Sequence, residues 1–220
     1  MKKLTICVLC IAMIFSLLVP SALAADRTIS DSGIDLIISF EGFSSQKTWD
    51  YAQYSIGYGC NWETYIRLFP EEAATGTISE DTARALLQAE LGSVENLLNR
   101  FLDRYRISVN QNQFDALVSF SMNVGTGWTG MDCLLTRMLM DSPSTWTSDR
   151  VQEAFGVWCH AGGVELPGLV SRRADEAALF LSASSALAET ADSAVTIENP
   201  ILMDALEFDD VDSAAWYADS

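Results

Sequence analysis

The fold of this chain is decided by the stretch Phe40-Glu41-Gly42-Phe43 and by the segment that follows it, Thr48-Trp49-Asp50-Tyr51-Ala52-Gln53-Tyr54-Ser55-Ile56-Gly57-Tyr58-Gly59. The first part closes a predicted amphipathic helix, which Gly42 ends with a positive φ. The second part is rich in aromatic and β-branched residues and is interrupted in its middle, which predicts a small antiparallel hairpin. Glu41 therefore falls at the end of a helix, and Asp50 falls on a strand that faces it.

These residues resemble the start of the phage-type lysozymes, the endolysin muramidase family of glycoside hydrolases that includes the T4 enzyme. The resemblance continues, in the family's order, through residues 111–120 (QNQFDALVSF), 123–125 (NVG), 162–163 (GG) and 167–176 (PGLVSRRADE). It covers residues 29–182 and implies an α+β, lysozyme-like fold. In that fold a small β-hairpin lobe is joined by a long helix to a mostly helical lobe.

The helical pattern of the rest of the chain agrees with this architecture. Ser30 or Ser32 is suited to cap the first helix, and Ser79 to cap a long helix that extends to Phe101 with Gly92 inside it. Residues 113–124 are apolar on most faces and predict a buried central helix, and further helices are expected at 131–140, 148–160 and 169–181. We interpret the QNQFD run as a capped core helix that has no catalytic role.

The resemblance also implies which residues carry the chemistry. Glu41 is the expected general acid, and Asp50 is expected to orient or deprotonate the attacking water. Ser55 takes the position where the family has a Thr hydroxyl. An inverting reaction is implied, which predicts that the Glu41 and Asp50 carboxyl groups lie about 6.5–9.5 Å apart.

The resemblance further implies an arginine that supports the catalytic acid. Arg173 aligns with an arginine that lies against the catalytic Glu in the T4-type enzyme. For Arg172 two positions are expected with equal weight: the same cleft, or a surface ion pair with Asp175 or Glu176.

Three features depart from the family pattern. Ser55 lacks the methyl group that fixes the rotamer of Thr, the interval from Asp50 to the hydroxyl is one residue shorter than is common, and Cys60 stands where many members have His or Thr. A shortened hairpin would shift Asp50 or reverse the side of the strand that it faces. The alternative to a catalytic role is that Asp50 is a turn residue that caps the bend at residues 51–53.

Several functions remain open on these grounds. The favoured one is a muramidase that hydrolyses the β-1,4 bond between N-acetylmuramic acid and N-acetylglucosamine in the glycan strands of peptidoglycan. The alternatives are a non-catalytic peptidoglycan-binding wall protein on a lysozyme fold, an enzyme that acts on chitin-like polymers, and a structural surface protein.

The N-terminus predicts export. Two lysines, an apolar run over residues 4–19 and Ala22-Leu23-Ala24 follow one another in the order found in a signal peptide, so residues 1–24 are expected to be removed. The alternative is a retained membrane anchor, for which the run is short of the ~20 residues that span a bilayer. The protein is then expected to be secreted or at the cell wall, without stable membrane insertion.

The charge balance limits the partners further. The chain has 13 Lys and Arg residues against 30 Asp and Glu residues, a formal charge of −17, and loss of Lys2 and Lys3 makes it −19. Such an acidic chain is a poor partner for nucleic acid or an anionic membrane.

No cofactor or metal is expected. Cys60, Cys133 and Cys159 remain after signal removal and are interpreted mainly as buried apolar residues, with one optional disulfide. His160 is interpreted as structural, because only Cys159 stands beside it and adjacent residues rarely converge on one ion.

Residues 25–183 thus form the expected catalytic domain, and residues 184–220 an acidic tail. The end of the tail, residues 208–218 (FDDVDSAAWYA), resembles the opening of an S-layer homology repeat, a module associated with attachment to cell-wall polymers. A disordered acidic tail without a partner is the alternative.

Overall fold

The computed structural model describes residues 26–50 and 53–182, with the backbone alone at Asp50. The expected signal peptide and the acidic tail lie outside the described residues, as does the side chain of Asp50. Within the described part, short antiparallel sheets and mostly helical structure confirm the α+β class.

The elements follow the order that the sequence pattern predicts. The described strands are β1 (Ser44–Asp50), β2 (Gln53–Gly57), β3 (Cys60–Asn61), β4 (His160–Ala161) and β5 (Val164–Glu165). The described α-helices are α1 (Asp31–Glu41), α2 (Trp62–Leu68), α3 (Pro70–Ala73), α4 (Glu80–Arg104), α5 (Gln111–Val124), α6 (Leu134–Met140), α7 (Ser148–Gly156) and α8 (Pro167–Ser182). Short 3₁₀ helices at Gly127–Gly130 and Pro143–Thr145 join α5, α6 and α7.

The small lobe is built on the sheet β1-β2-β3. Strand β1 pairs with β2 in the register Thr48↔Ser55, Trp49↔Tyr54 and Asp50↔Gln53, and an irregularity between Ser44 and Thr48 bends β1. Ser55 of β2 also pairs with Asn61 of β3. Asn61 then caps helix α2, because its side chain accepts hydrogen bonds from Glu63 N and Thr64 N.

The sheet packs closely against helix α4. Gly57 ends β2 with φ 66°, and a Cβ at this position would lie 2.8 Å from the Cβ of Ala83 on α4. A side chain at residue 57 would therefore push the sheet away from the helix. Ser79 caps α4 as predicted, and α4 continues for 25 residues into the helical lobe.

The helical lobe surrounds helix α5. A capping box between Asn110 and Gln113 begins this helix, which packs against α1, α4 and α8. Its apolar residues from Phe114 to Phe120 are fully buried, and Phe120 makes edge-on ring contacts with Trp128, Phe155 and Trp158. The prediction of a buried central helix is confirmed.

Helix α1 is fixed to this core at its N-terminus. Ser30 caps it, and Asp115 of α5 accepts hydrogen bonds from both the backbone N–H (2.9 Å) and the hydroxyl of Ser30. Ile29 N donates to Glu95 on α4 at 2.8 Å. Asp115 therefore anchors α1, in agreement with the structural role expected for the QNQFD run.

Some predicted boundaries were wrong. The helix expected at 131–140 begins only at Leu134, because Cys133 is extended and caps it. The helix expected at 148–160 ends at Gly156, and His160 lies instead in strand β4. Gln53, assigned to the bend, belongs to β2.

Two further observations concern the described residues only. None of their helices has both the length and the apolar character needed to cross a bilayer. Cys60, Cys133 and Cys159 are free thiols, of which Cys60 and Cys159 are buried. The optional disulfide is therefore not formed among these three.

Candidate active site

Glu41 lies where the two lobes meet. It is the last residue of α1, because Gly42 takes φ 67° and turns the chain toward β1. Its side chain is 25% exposed. Its Oε2 lies 3.9 Å from the position that a Cβ on Gly59 would occupy, so the turn between β2 and β3 approaches the carboxylate closely. The carboxylate is thus held by the fold and still reached by solvent.

The other oxygen of Glu41 is held by Arg172 of α8. Arg172 Nη1 donates to Glu41 Oε1 at 2.6 Å, and the Arg172 side chain is only 5% exposed. Arg172 also donates through Nε to Glu176 Oε1 at 3.2 Å and through Nη2 to the carbonyl of Ser119 at 3.3 Å. One guanidinium group therefore links the catalytic candidate to two buried acceptors.

Arg173 does not lie against Glu41, and the prediction that it supports the acid was wrong. Its Nη2 donates to Asn123 Oδ1 at 2.9 Å and to Glu176 Oε1 at 3.1 Å, and its Nε lies 2.9 Å from Glu176 Oε2 as an ion pair. Successive residues of a helix point about 100° apart, so only one of the two arginines faces Glu41. The surface pairing of Arg172 is also wrong in part, because its partner Glu176 is fully buried.

The buried carboxylate of Glu176 organises both arginines. Burial raises the pKa of Glu176, whereas Arg173, the hydroxyl of Ser119 and Arg172 oppose that rise. Ser119 donates to Glu176 Oε1 at 2.8 Å. Burial also lowers the pKa of Arg173 to about 10, against the attraction of Glu176. The i,i+4 spacing of Arg172 and Glu176 on a helix was the signal in the sequence that identifies this pair.

The hairpin contributes hydroxyl groups from two strands. Ser55 is buried, and its Oγ lies 3.2 Å from Oγ1 of Thr48, the residue directly opposite on β1. Thr48 was not predicted as a site residue, although cross-strand pairing would have identified it once the register was known.

The register also bears on residue 50. Because strand positions alternate between the two faces, positions 48, 50, 53 and 55 belong to one face and positions 49 and 54 to the other. The rings of Trp49 and Tyr54 lie 4.9 Å apart, as expected for a pair on a shared face. The backbone thus assigns positions 50 and 55 to the same face. The predicted Glu41–Asp50 carboxyl separation falls outside the described residues.

Cys60 occupies a buried corner between the hairpin and α4. Burial raises the pKa of its thiol, and the nearby carboxylates of Glu90 and Glu41 raise it further. Burial likewise raises the pKa of Glu90, which accepts a hydrogen bond from Asn61 N at 3.0 Å. A neutral thiol here is a packing group, which agrees with the apolar role expected for Cys60.

Two surface pockets meet beside this corner, at Glu90 and Ser93 of α4. One extends toward Asn61 and Thr64, and the other extends toward Ser121 and Met122 at the end of α5. Together they follow α4 between the sheet lobe and the helical lobe.

The arrangement is suited to acid catalysis. A carboxyl group with one oxygen held by a guanidinium and the other turned toward an open side is able to present a proton in a fixed direction. A hydroxyl pair stands on the facing hairpin.

Comparison with known proteins places the chain in context. The Phage lysozyme family pattern matches residues 38–176, which include Glu41, the hairpin and both arginines of α8. The Endolysin of Bacillus phage PZA is 36% identical over 157 residues, which are 70% of this chain and 55% of that protein. The chain spans about half the length of the curated Bacillus phage relatives that it matches.

Solved structures agree. The muramidase domain of SpmX from Asticaccaulis excentricus is 32% identical, with a TM-score of 0.55, over 70% of this chain and 99% of that chain. A mutant of P22 lysozyme is 29% identical, with a TM-score of 0.57 and the same coverage. Both comparisons confirm the lysozyme-like fold.

Proposed function

Because this chain belongs to the phage lysozyme family, we propose that it is a muramidase that hydrolyses the β-1,4 bond between N-acetylmuramic acid and N-acetylglucosamine in peptidoglycan. The observation that carries the proposal is the contact between Glu41 Oε1 and Arg172 Nη1, which fixes a partly exposed carboxyl group at the junction of the lobes. No cofactor enters the reaction.

In this mechanism Glu41 is the general acid. It donates its proton to the glycosidic oxygen as the bond to the muramic acid C1 breaks, and an oxocarbenium-like sugar develops. Arg172 keeps the carboxyl plane in place and cannot itself take the proton, because a guanidinium has no acceptor. The Glu41 side chain is 25% exposed, and its Oε2 faces the turn at Gly59.

Asp50 and Ser55 act on the opposite face of the sugar. Asp50 orients or deprotonates the attacking water, and the Ser55 hydroxyl provides a second hydrogen-bonding group for that water. Thr48 lies within hydrogen-bonding distance of Ser55 and supplies the restraint that the missing Thr methyl would have given. Attack by a water held in this way inverts the anomeric centre.

The test is the release of reducing ends from purified peptidoglycan. Glu41→Gln is expected to lower the rate by at least about 100-fold, because an amide N–H is far too weak an acid to protonate the glycosidic oxygen, and to leave the circular dichroism spectrum unchanged. Asp50→Asn is expected to lower the rate as well. Glu63→Gln, an exposed acid on α2, is the matched control and keeps full activity. Full activity of Glu41→Gln would refute the assignment.

Product stereochemistry tests the inverting mechanism separately. Proton NMR of freshly formed product from a soluble peptidoglycan fragment is expected to show the α-anomer first. Formation of the β-anomer would mean that a covalent intermediate forms and that Asp50 acts as a nucleophile. Chitin oligomers serve as the comparison substrate, and equal rates on them would favour the chitinase-like alternative.

A second candidate function is attachment without cleavage. Ser55, the short hairpin and Cys60 are the observations that favour it, since each departs from the family pattern at the cleft. A binding protein would sediment with insoluble peptidoglycan and release no reducing ends. Retained binding by an inactive parent chain would therefore decide for this alternative.

The ends of the chain are assigned by proposal as well. Export is expected to remove residues 1–24, which N-terminal sequencing of protein from the culture medium would test.

Residues 25–183 are proposed as the catalytic unit, and residues 184–220 as a tail that binds a cell-wall polymer. Deletion of 184–220 is expected to keep lysis of purified wall and to lower retention on intact cells. Loss of lysis would favour the structural surface protein.

A further inference from the structure

A second cluster of reactive side chains lies in the hairpin between α7 and α8. Strands β4 and β5 are joined by Gly162 and Gly163, both with positive φ, so the connection is a tight two-residue turn. This turn sets His160 directly opposite Glu165. Cys159 precedes β4 and is tied to the end of β5, because Leu166 N donates to the Cys159 carbonyl at 3.0 Å.

The hairpin brings three ligand atoms together. Cys159 Sγ lies 3.4 Å from His160 Nδ1 and 3.6 Å from Glu165 Oε2, and all three atoms lie within 4.8 Å of one another. Two ligands of a tetrahedral Zn²⁺ ion, bound at ~2.1 and ~2.3 Å, are about 3.6 Å apart. The two separations from Cys159 Sγ are therefore close to those that one zinc ion requires, and the third pair lies within 4.8 Å.

We propose that Cys159, His160 and Glu165 bind one Zn²⁺ ion. The expectation that His160 is only structural rested on its single neighbour in the sequence, and it did not include Glu165, which the hairpin turn delivers. Sulfur, imidazole and carboxylate are a ligand set that zinc accepts, and the fourth position is left to water. His160 and Glu165 are exposed, so the ion enters from solvent.

Binding exchanges a proton for the metal. In the free protein the Cys159 sulfur lies 3.6 Å from Glu165 Oε2, within range to donate to it. When Zn²⁺ binds, the S–H bond breaks, the Zn–S bond forms and the proton passes to solvent, so affinity rises with pH.

The site has a structural consequence for the helix that follows. The hairpin leads directly into α8, the helix that carries Arg172 and Arg173. An ion that joins Cys159 to both strands would restrain the start of α8. We therefore expect Zn²⁺ to raise the melting temperature of the full chain and a chelator to reverse the rise.

Co²⁺ provides the spectroscopic test on the full-length chain. A near-ultraviolet thiolate-to-Co²⁺ charge-transfer band, saturating at one ion per chain and displaced by Zn²⁺, is expected. Cys159→Ser should abolish it. Glu165→Gln, which changes an exposed side chain, and His160→Ala should each weaken Zn²⁺ binding by at least about 10-fold, since even the loss of an outer-shell partner costs that much.

Matched controls separate this site from other thiols and from the acidic surface. Three control variants should leave the band and the affinity unchanged: Cys133→Ser, the combined Cys7→Ser and Cys10→Ser change, and Glu153→Gln, which alters an exposed side chain of α7. The proposal is overturned if the wild-type chain gives no thiolate band, if the band survives Cys159→Ser, or if Glu165→Gln and Glu153→Gln bind Zn²⁺ equally well.

Discussion

Arg172 shows how much depends on one side chain in this molecule. Its three nitrogens contact Glu41, Glu176 and Ser119, and its guanidinium also lies 5.4 Å from the ring centre of Phe40. A lysine would keep the charge but offers a single nitrogen on a flexible stem. The planar group, rather than the charge alone, fixes the direction of the Glu41 carboxyl.

Replacement of Arg172 tests this view. Arg172→Lys is expected to lower kcat by about 10- to 100-fold, because small displacements of a catalytic group cost that much. Arg137→Lys, in the exposed ion pair with Asp132, is the matched control and should retain kcat. An unchanged kcat in Arg172→Lys would mean that Glu41 needs no such support.

The hydroxyl of Thr48 allows a finer test. Thr48→Val keeps the shape of the side chain and removes the hydrogen bond to Ser55, which corresponds to a loss of about 2- to 10-fold in kcat. KM and the melting temperature should change little, since Thr48 is exposed. Thr48→Ser should restore the rate. Equal rates for the Val and Ser variants would exclude a positioning role.

At the scale of elements, the contact between β2 and α4 determines the position of the hairpin. Gly57→Ala is expected to destabilise the protein by about 2–5 kcal/mol, through left-handed backbone strain and overlap with Ala83. Gly76→Ala, at φ 78° in open space, should cost only about 1–2 kcal/mol. Urea unfolding of both variants measures the difference.

A double variant separates the two causes. Ala83→Gly removes the overlapping methyl group at a cost of about 1 kcal/mol in helix propensity. Gly57→Ala combined with Ala83→Gly should therefore be more stable than the sum of the single changes predicts. Simple additivity would mean that the sheet does not rest on α4 at this point.

The sequence predicted elements better than contacts. Long periodic helices such as α4 and α5, the cap of α4 at Ser79, and the hairpin were accessible because local pattern determines them. The choice between Arg172 and Arg173 could not be made from the sequence, because a small rotation of α8 exchanges which of them faces Glu41. The partnership of His160 with Glu165 depended equally on the register of a hairpin too short to predict.

At the scale of the whole molecule, an acidic chain carries buried carboxyl groups that affect its stability. Burial raises the pKa of Glu90 in the folded state, so the folded chain holds this proton more tightly than the unfolded chain does. Its contribution to stability is therefore fully present below the unfolded pKa of about 4.3 and is lost as pH rises through the folded value.

Glu90→Gln removes this dependence. The free energy of unfolding of Glu90→Gln minus that of the wild-type chain should be larger, in the direction of a more stable variant, at pH 7 than at pH 3. Glu63→Gln, exposed on α2, should show no such trend. The measurement is urea unfolding at the two pH values, and an equal difference at both would contradict the pKa direction.

The ion pair of Glu41 and Arg172 also has a consequence for the order of events during synthesis of the chain. The two residues are 131 positions apart, one at the end of the first described helix and one on the last described helix. At a synthesis rate of about 5–20 residues per second, the ribosome adds Arg172 roughly 7–26 s after Glu41. During that interval the Glu41 carboxyl lacks its Arg172 partner. The ion pair at the candidate active site therefore forms only after α8 has been synthesised.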